Sequence, residues 1–156
     1  KAVIQARSEL PELSLDIYGV GGEREKLENI IRDNNASSYI HLMGQHDLSE
    51  VYQNYEAYIA GSTSEGFGLT LMEAVGGGLP IIGFDVRYGN PTFIRDGENG
   101  YLIPLPEEDK DRVEALRKGI VDLFKQDLEH CHSVSYEVAG DFLTSSVQEK
   151  WREAVC

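Results

Sequence analysis

Short apolar runs of strand length alternate with stretches of helical spacing along most of this chain, and that alternation limits its fold more than any other feature. The runs are "LSLDIYG", "YIHLM", "AYIAG", "PIIGF" and "YLI". Between the first two lies "EREKLENIIRDNN", which sets Leu27, Ile30 and Ile31 on one helical side. "DLSE" at 47–50 reads as the cap of a further helix carrying Leu48, Val51, Tyr52 and Tyr55. Strands separated by helices pair in parallel, because the return crossover needs a helix, and the helices then cover both faces of the sheet. The expectation is an α/β, Rossmann-like parallel sheet.

The two ends of the chain modify that expectation. "KAVIQARSEL" places Val3, Ala6 and Leu10 on one helical face with no preceding cap, and Pro11 ends it, so the chain reads as entering a helix partway. In a doubly wound sheet the first strand lies in the middle. With the strand before that helix absent, the sheet is expected to be rearranged or completed by another chain. From residue 107 the pattern is helical: Val113, Leu116, Ile120 and Phe124 form one stripe, and shorter helices are expected over 138–142 and 147–155. Without an internal repeat or linker, 1–156 reads as one domain, cut from a longer protein.

Charge and cysteine usage exclude several function classes. Fourteen basic against twenty-seven acidic residues give a net charge of −13, which denies the chain the positive field that nucleic-acid binding uses and sets it against anionic membranes. Membrane contact is at most peripheral, since "LPIIGF" falls well short of the ~18 apolar residues of a spanning helix. Cys131 and Cys156 have neither disulfide-framework nor metal-ligand spacing, which suits a reducing cytoplasm.

"SEGFGLTLMEAVGGGLPIIGFD" at 64–85 carries the chemistry. Ligands of open parallel sheets sit beyond the carboxyl ends of the strands, and Glu65 follows the strand "AYIAG" on that rim. Gly66-Phe67-Gly68-Leu69-Thr70 then turns into a helix, where free N–H groups favour an anion such as a diphosphate. Glu73 would repel that anion, so its useful role is to accept hydrogen bonds from neutral hydroxyls, such as those of a ribose. Bland readings stand beside these. Thr70-Leu-Met-Glu73 fits a capping box, Glu65 has the alternative of a solvated loop acid, and Gly76-Gly77-Gly78 reads as a helix stop. Gly19-Val20-Gly21-Gly22 lacks the third glycine of a nicotinamide-cofactor turn, which would fall at Arg24. Asp109-Lys110-Asp111 reads as a solvated first turn, and His41, His130 and His132 show no metal or triad spacing.

Glu65 and Glu73 within "SEGFGLTLMEA", followed by "GLPIIGFD" and "DGENGYLI" and preceded by "LDIYGVGGE" and "IHLMGQHDL", resemble the C-terminal, donor-binding half of the GT-B fold glycosyltransferases of family 4. The likeness spans 13–104 in order. It implies retaining transfer from a nucleotide sugar with no metal ion or other cofactor. Glu65 would hold the donor sugar as the catalytic residue, helped by backbone at Gly66, Phe67 and Gly68. Leu69 and Thr70 amides would contact the diphosphate, Glu73 the ribose, and Gln45 and His46 the base; His46 reads equally as a polar residue before a helix cap. An Arg and a Lys that family members use against the leaving diphosphate have no counterpart here, so the chain alone is not expected to turn over. "FDVRYGNPTFIRDGENGYLIP" narrows the resemblance to bacterial enzymes of the accessory Sec system that attach N-acetylglucosamine from UDP-GlcNAc to Ser/Thr of serine-rich proteins, with a homologous non-catalytic subunit as partner. Teichoic-acid glycosyltransferases and a non-catalytic GT-B-like binding subunit are the alternatives.

Overall fold

The computed structural model describes residues 1–155, so Cys156 lies outside the described residues. The elements run α1 (Ala2–Ala6), β1 (Leu15–Tyr18), α2 (Arg24–Asp33), β2 (Ile40–Gly44), β3 (Tyr58–Ala60), α3 (Leu69–Gly76), β4 (Ile81–Phe84), α4 (Gly89–Phe93), β5 (Gly100–Ile103), α5 (Asp109–Leu123), α6 (Leu128–Gly140) and α7 (Thr144–Val155). Every strand pair is parallel, as the alternation demands.

The strands do not form one continuous sheet. β1 pairs only with β2, and β3, β4 and β5 form a separate ladder, so β1 and β3 each keep one unpaired edge among the described residues. All four β1 residues are half-buried, whereas all four of β4 are buried.

Successive residues of a strand point to opposite faces, and β4 shows what this does for packing. Ile81 joins Leu71, Ala74, Val75, Phe93, Ile94 and Val138 under α3, α4 and α6. Its neighbour Ile82 joins Val3, Ala6, Ile40, Ile120 and Leu123 under α1 and α5 on the other face. The second cluster also takes up Leu15 and Ile17 of β1 and Ile59 of β3, so one apolar layer underlies both ladders although they pair as separate sheets among the described residues.

Two helix expectations are corrected. No α-helix follows residues 47–50: Asp47 Oδ1 accepts from the Ser49 N–H at 3.0 Å, a local turn, and only one 3-10 turn forms at Tyr52–Asn54. α6 starts at Leu128, well before the expected 138, with Asp127 capping it through the His130 N–H. Its buried side is Cys131, Val134, Ser135 and Val138, a helical stripe in which a cysteine and a serine stand at apolar positions.

Candidate functional site

β3 ends at Ala60 and the chain crosses the sheet's rim before Glu65. Gly68 caps α3 in the left-handed region (φ 83°, ψ 61°), and a Cβ there would lie 2.6 Å from Leu71 Cδ1. Both facts reserve the position for glycine. Among the described residues, the amides of Gly66, Phe67, Gly68, Leu69 and Thr70 donate no backbone hydrogen bond, while Leu71 and Met72 donate to the Gly68 carbonyl. The first turn of α3 therefore presents unsatisfied N–H groups and the positive end of a helix dipole. The Phe67 ring, itself half exposed, meets Phe93 (5.5 Å between centroids) and Phe142 (6.4 Å) edge-on, which ties the turn to α4 and the segment after α6. Glu65 is half-buried, its carbonyl accepting from the Tyr88 N–H at 2.6 Å.

Glu73 lies on the outer flank of α3 with Leu69 and Thr70, opposite the buried Leu71, Ala74 and Val75. The capping-box reading fails here. Gly68, not Thr70, is the cap, no side chain caps the helix, and Glu73 Oε2 instead accepts from the Tyr52 hydroxyl at 2.9 Å. Burial first, and then the Glu73 carboxylate, push the Tyr52 phenol above its ordinary pKa, so it is a donor at neutral pH. Glu73 and Tyr52 share a cavity of about 280 Å³ with Asp47, Leu48, Ser49, Gly76 and Gly77. It opens between the β2–β3 connection and α3. Gln45 and His46 are exposed at the start of that connection. His46 Nε2 donates to the Met43 carbonyl at 2.9 Å, and its ring meets Tyr18 edge-on at 5.8 Å.

The triple glycine stops α3 as read: Gly78 adopts φ 81°, its N–H donates to Val75 O, and the Leu79 N–H reaches back to Ala74 O. Asp109 opens α5 and pairs with Arg112 at 2.8 Å. His41 pairs with Asp16, and His132 Nδ1 donates to the Gly78 carbonyl. Among the described residues no group of three or more His, Cys, Asp or Glu is placed to hold a metal ion, and no helix is long and apolar enough to cross a membrane. Sequence reasoning missed Tyr52, which had been counted as an apolar helix position, and Gly89, which lies in contact range of Glu65. Neither carries a local signal, because each acts on a residue distant in sequence.

The chain matches the family profile "Glycosyl transferases group 1" over residues 1–138. It is 54% identical over 158 aligned residues to the UDP-N-acetylglucosamine–peptide N-acetylglucosaminyltransferase GtfA subunit of Limosilactobacillus reuteri, covering 99% of this chain and 31% of that protein. A poly(glycerol-phosphate) alpha-glucosyltransferase of Bacillus subtilis is 31% identical over 99% of this chain and 23% of its own length. Among solved structures, the pneumococcal O-GlcNAc transferase GtfA in complex with UDP and GlcNAc superposes with a TM-score of 0.92 at 52% identity, over 99% of this chain and 31% of that one. A GtfA/B complex gives 0.88 at 52% identity, over 98% of this chain and 31% of that one. The chain thus spans about a third of the length of these GtfA relatives. The Rossmann-like parallel fold is that of GT-B glycosyltransferases.

Proposed function

Because this chain belongs to the glycosyl transferases of group 1, we propose that it is the donor-binding part of an enzyme that moves N-acetylglucosamine from UDP-GlcNAc to Ser or Thr of a serine-rich protein. One observation carries the reading: the unsatisfied amides at the start of α3 lie between Glu65 on one side and the Glu73–Tyr52 cavity on the other. The amides of Leu69 and Thr70 receive the diphosphate, and their dipoles stabilise the charge that builds on it as the glycosidic bond breaks. Glu73, oriented by Tyr52, accepts the ribose hydroxyls, with Gln45 and His46 along the base. Glu65 accepts hydroxyl hydrogen bonds from the sugar and fixes its reacting carbon, helped by backbone at Gly66, Phe67 and Gly68. The proposal includes retention of anomeric configuration, turnover without a metal ion, a cytoplasmic site of action and a homologous non-catalytic partner subunit. The relatives' names and the GtfA/B complex support the donor and the partner.

A second reading, transfer to a polyol phosphate, is favoured by the Bacillus subtilis relative. The two are separated in the full-length enzyme by offering labelled UDP-GlcNAc with a Ser/Thr-rich peptide or with poly(ribitol phosphate). Transfer to the peptide is expected, unaffected by EDTA, and Glu65→Gln should cut it by about 10²-fold or more. Unchanged turnover in that variant would remove Glu65 from the chemistry.

A further inference from the structure

Glu65 must be held still to serve as a sugar clamp, and two glycines approach its side chain closely. A Cβ built on Gly68 would sit 3.4 Å from Glu65 Cγ, and one built on Gly89 would sit 2.7 Å from the same atom, 2.8 Å from the Phe67 carbonyl oxygen and 3.1 Å from the Phe67 carbonyl carbon. The Glu65 arm thus lies between two bare Cα positions, one on its own turn and one on the first residue of α4.

Gly89 cannot retreat from this contact. On one side Tyr88 is tied to Glu65, its N–H donating to the Glu65 carbonyl at 2.6 Å and the two residues forming an isolated parallel bridge. On the other, Asn90 is fully buried, and its Nδ2 donates to the Phe84 carbonyl at the end of β4 at 2.8 Å. Thr92 Oγ1 donates to the Tyr88 carbonyl at 2.8 Å and closes the first turn of α4. Gly89 itself is not in the left-handed region. Alanine there is opposed by contact and not by backbone strain.

We infer that Gly89 is a positioning residue for the donor-sugar carboxylate: its bare Cα, anchored through Tyr88 and Asn90, is the wall against which the Glu65 side chain is set. The inference rests on the proposed role of Glu65. An added methyl group displaces Glu65 Cγ and the Phe67 carbonyl by several tenths of an ångström, which is enough to spoil near-attack geometry without removing any polar group.

The test uses the full-length enzyme with Gly89→Ala, Glu65→Gln and the double variant. Gly89→Ala should lower kcat about tenfold or more while UDP affinity changes by less than about threefold, and it should cost little further in the Glu65→Gln background, because two residues acting through one group are not additive. Equal losses in both backgrounds, or full activity of Gly89→Ala where Glu65→Gln is inactive, would overturn the inference and leave the role of Glu65 standing. If Glu65→Gln itself is fully active, the proposed function fails at Glu65 and this inference falls with it. Should Gly89→Ala be too unstable for kinetics, adding Glu65→Ala should raise its thermal midpoint by removing the atom the methyl meets, and no rise would overturn the inference as well.

Discussion

Tyr52 donates to one oxygen of Glu73 from a phenol that burial has made more reluctant to ionise. That leaves the second carboxylate oxygen with no side-chain hydrogen-bond donor among the described residues, on a residue that lines the cavity. In the full-length enzyme, Tyr52→Phe should weaken UDP binding by about 0.5–1.5 kcal/mol, the net worth of one hydrogen bond, or about two- to tenfold by isothermal titration. Asp16 offers a pH test away from the site. Its carboxylate accepts from the Tyr55 hydroxyl at 2.6 Å and from His41 Nδ1 at 2.8 Å. Its pKa is lowered, first by the Tyr55 hydrogen bond and next, against the opposing effect of partial burial, by His41. A depressed folded-state value contributes stability that is present above the unfolded value of about 3.9 and is lost as pH falls through the folded one. Tyr55→Phe should therefore lower the urea midpoint at neutral pH and flatten its fall below about pH 4.

α6 holds the turn between α3 and β4 by three successive carbonyls. Tyr136 donates to Gly77 O at 3.3 Å, His132 to Gly78 O at 2.7 Å and Ser135 to Leu79 O at 2.9 Å, while Asn99 Nδ2 donates to the same serine hydroxyl at 3.3 Å. Ser135 is fully buried. Ser135→Ala should cost about 1–3 kcal/mol in urea unfolding, because it removes the side-chain donor to the buried Leu79 carbonyl and leaves Asn99 Nδ2 with only the Phe93 carbonyl. The same serine explains why α6 was only partly legible. Its buried stripe has the right spacing, but Cys131 and Ser135 occupy positions that a hydrophobic pattern recognises only when they are Leu or Val. α3, by contrast, could be read from its glycine entry, its apolar Leu71, Ala74 and Val75, and its glycine exit. "DLSE" misled because a short acid or hydroxyl side chain that can cap a helix can equally close a local turn, and here Asp47 does the latter.

Across the whole molecule, the alternation of strands and helices was sufficient to read parallel pairing and two covered faces. The contacts that steady the site were not legible, since Tyr52 meets Glu73 and Gly89 meets Glu65 only through the fold. The break between the two ladders makes a measurable prediction. Leu15 and Gly19 donate toward β2 and Tyr58 toward β4, so by the two-residue period the amides of Asp16, Tyr18 and Ile59 face the unpaired edges. In hydrogen exchange on this chain they should lose protection well before those of Ile82 and Phe84 in β4. β3 is also the mount on which Glu65 rides, only a short loop away, and it is braced on a single flank. Any extended segment that zipped into the open seam would stiffen that mount, so its arrival would register at the sugar as well as in the melting curve.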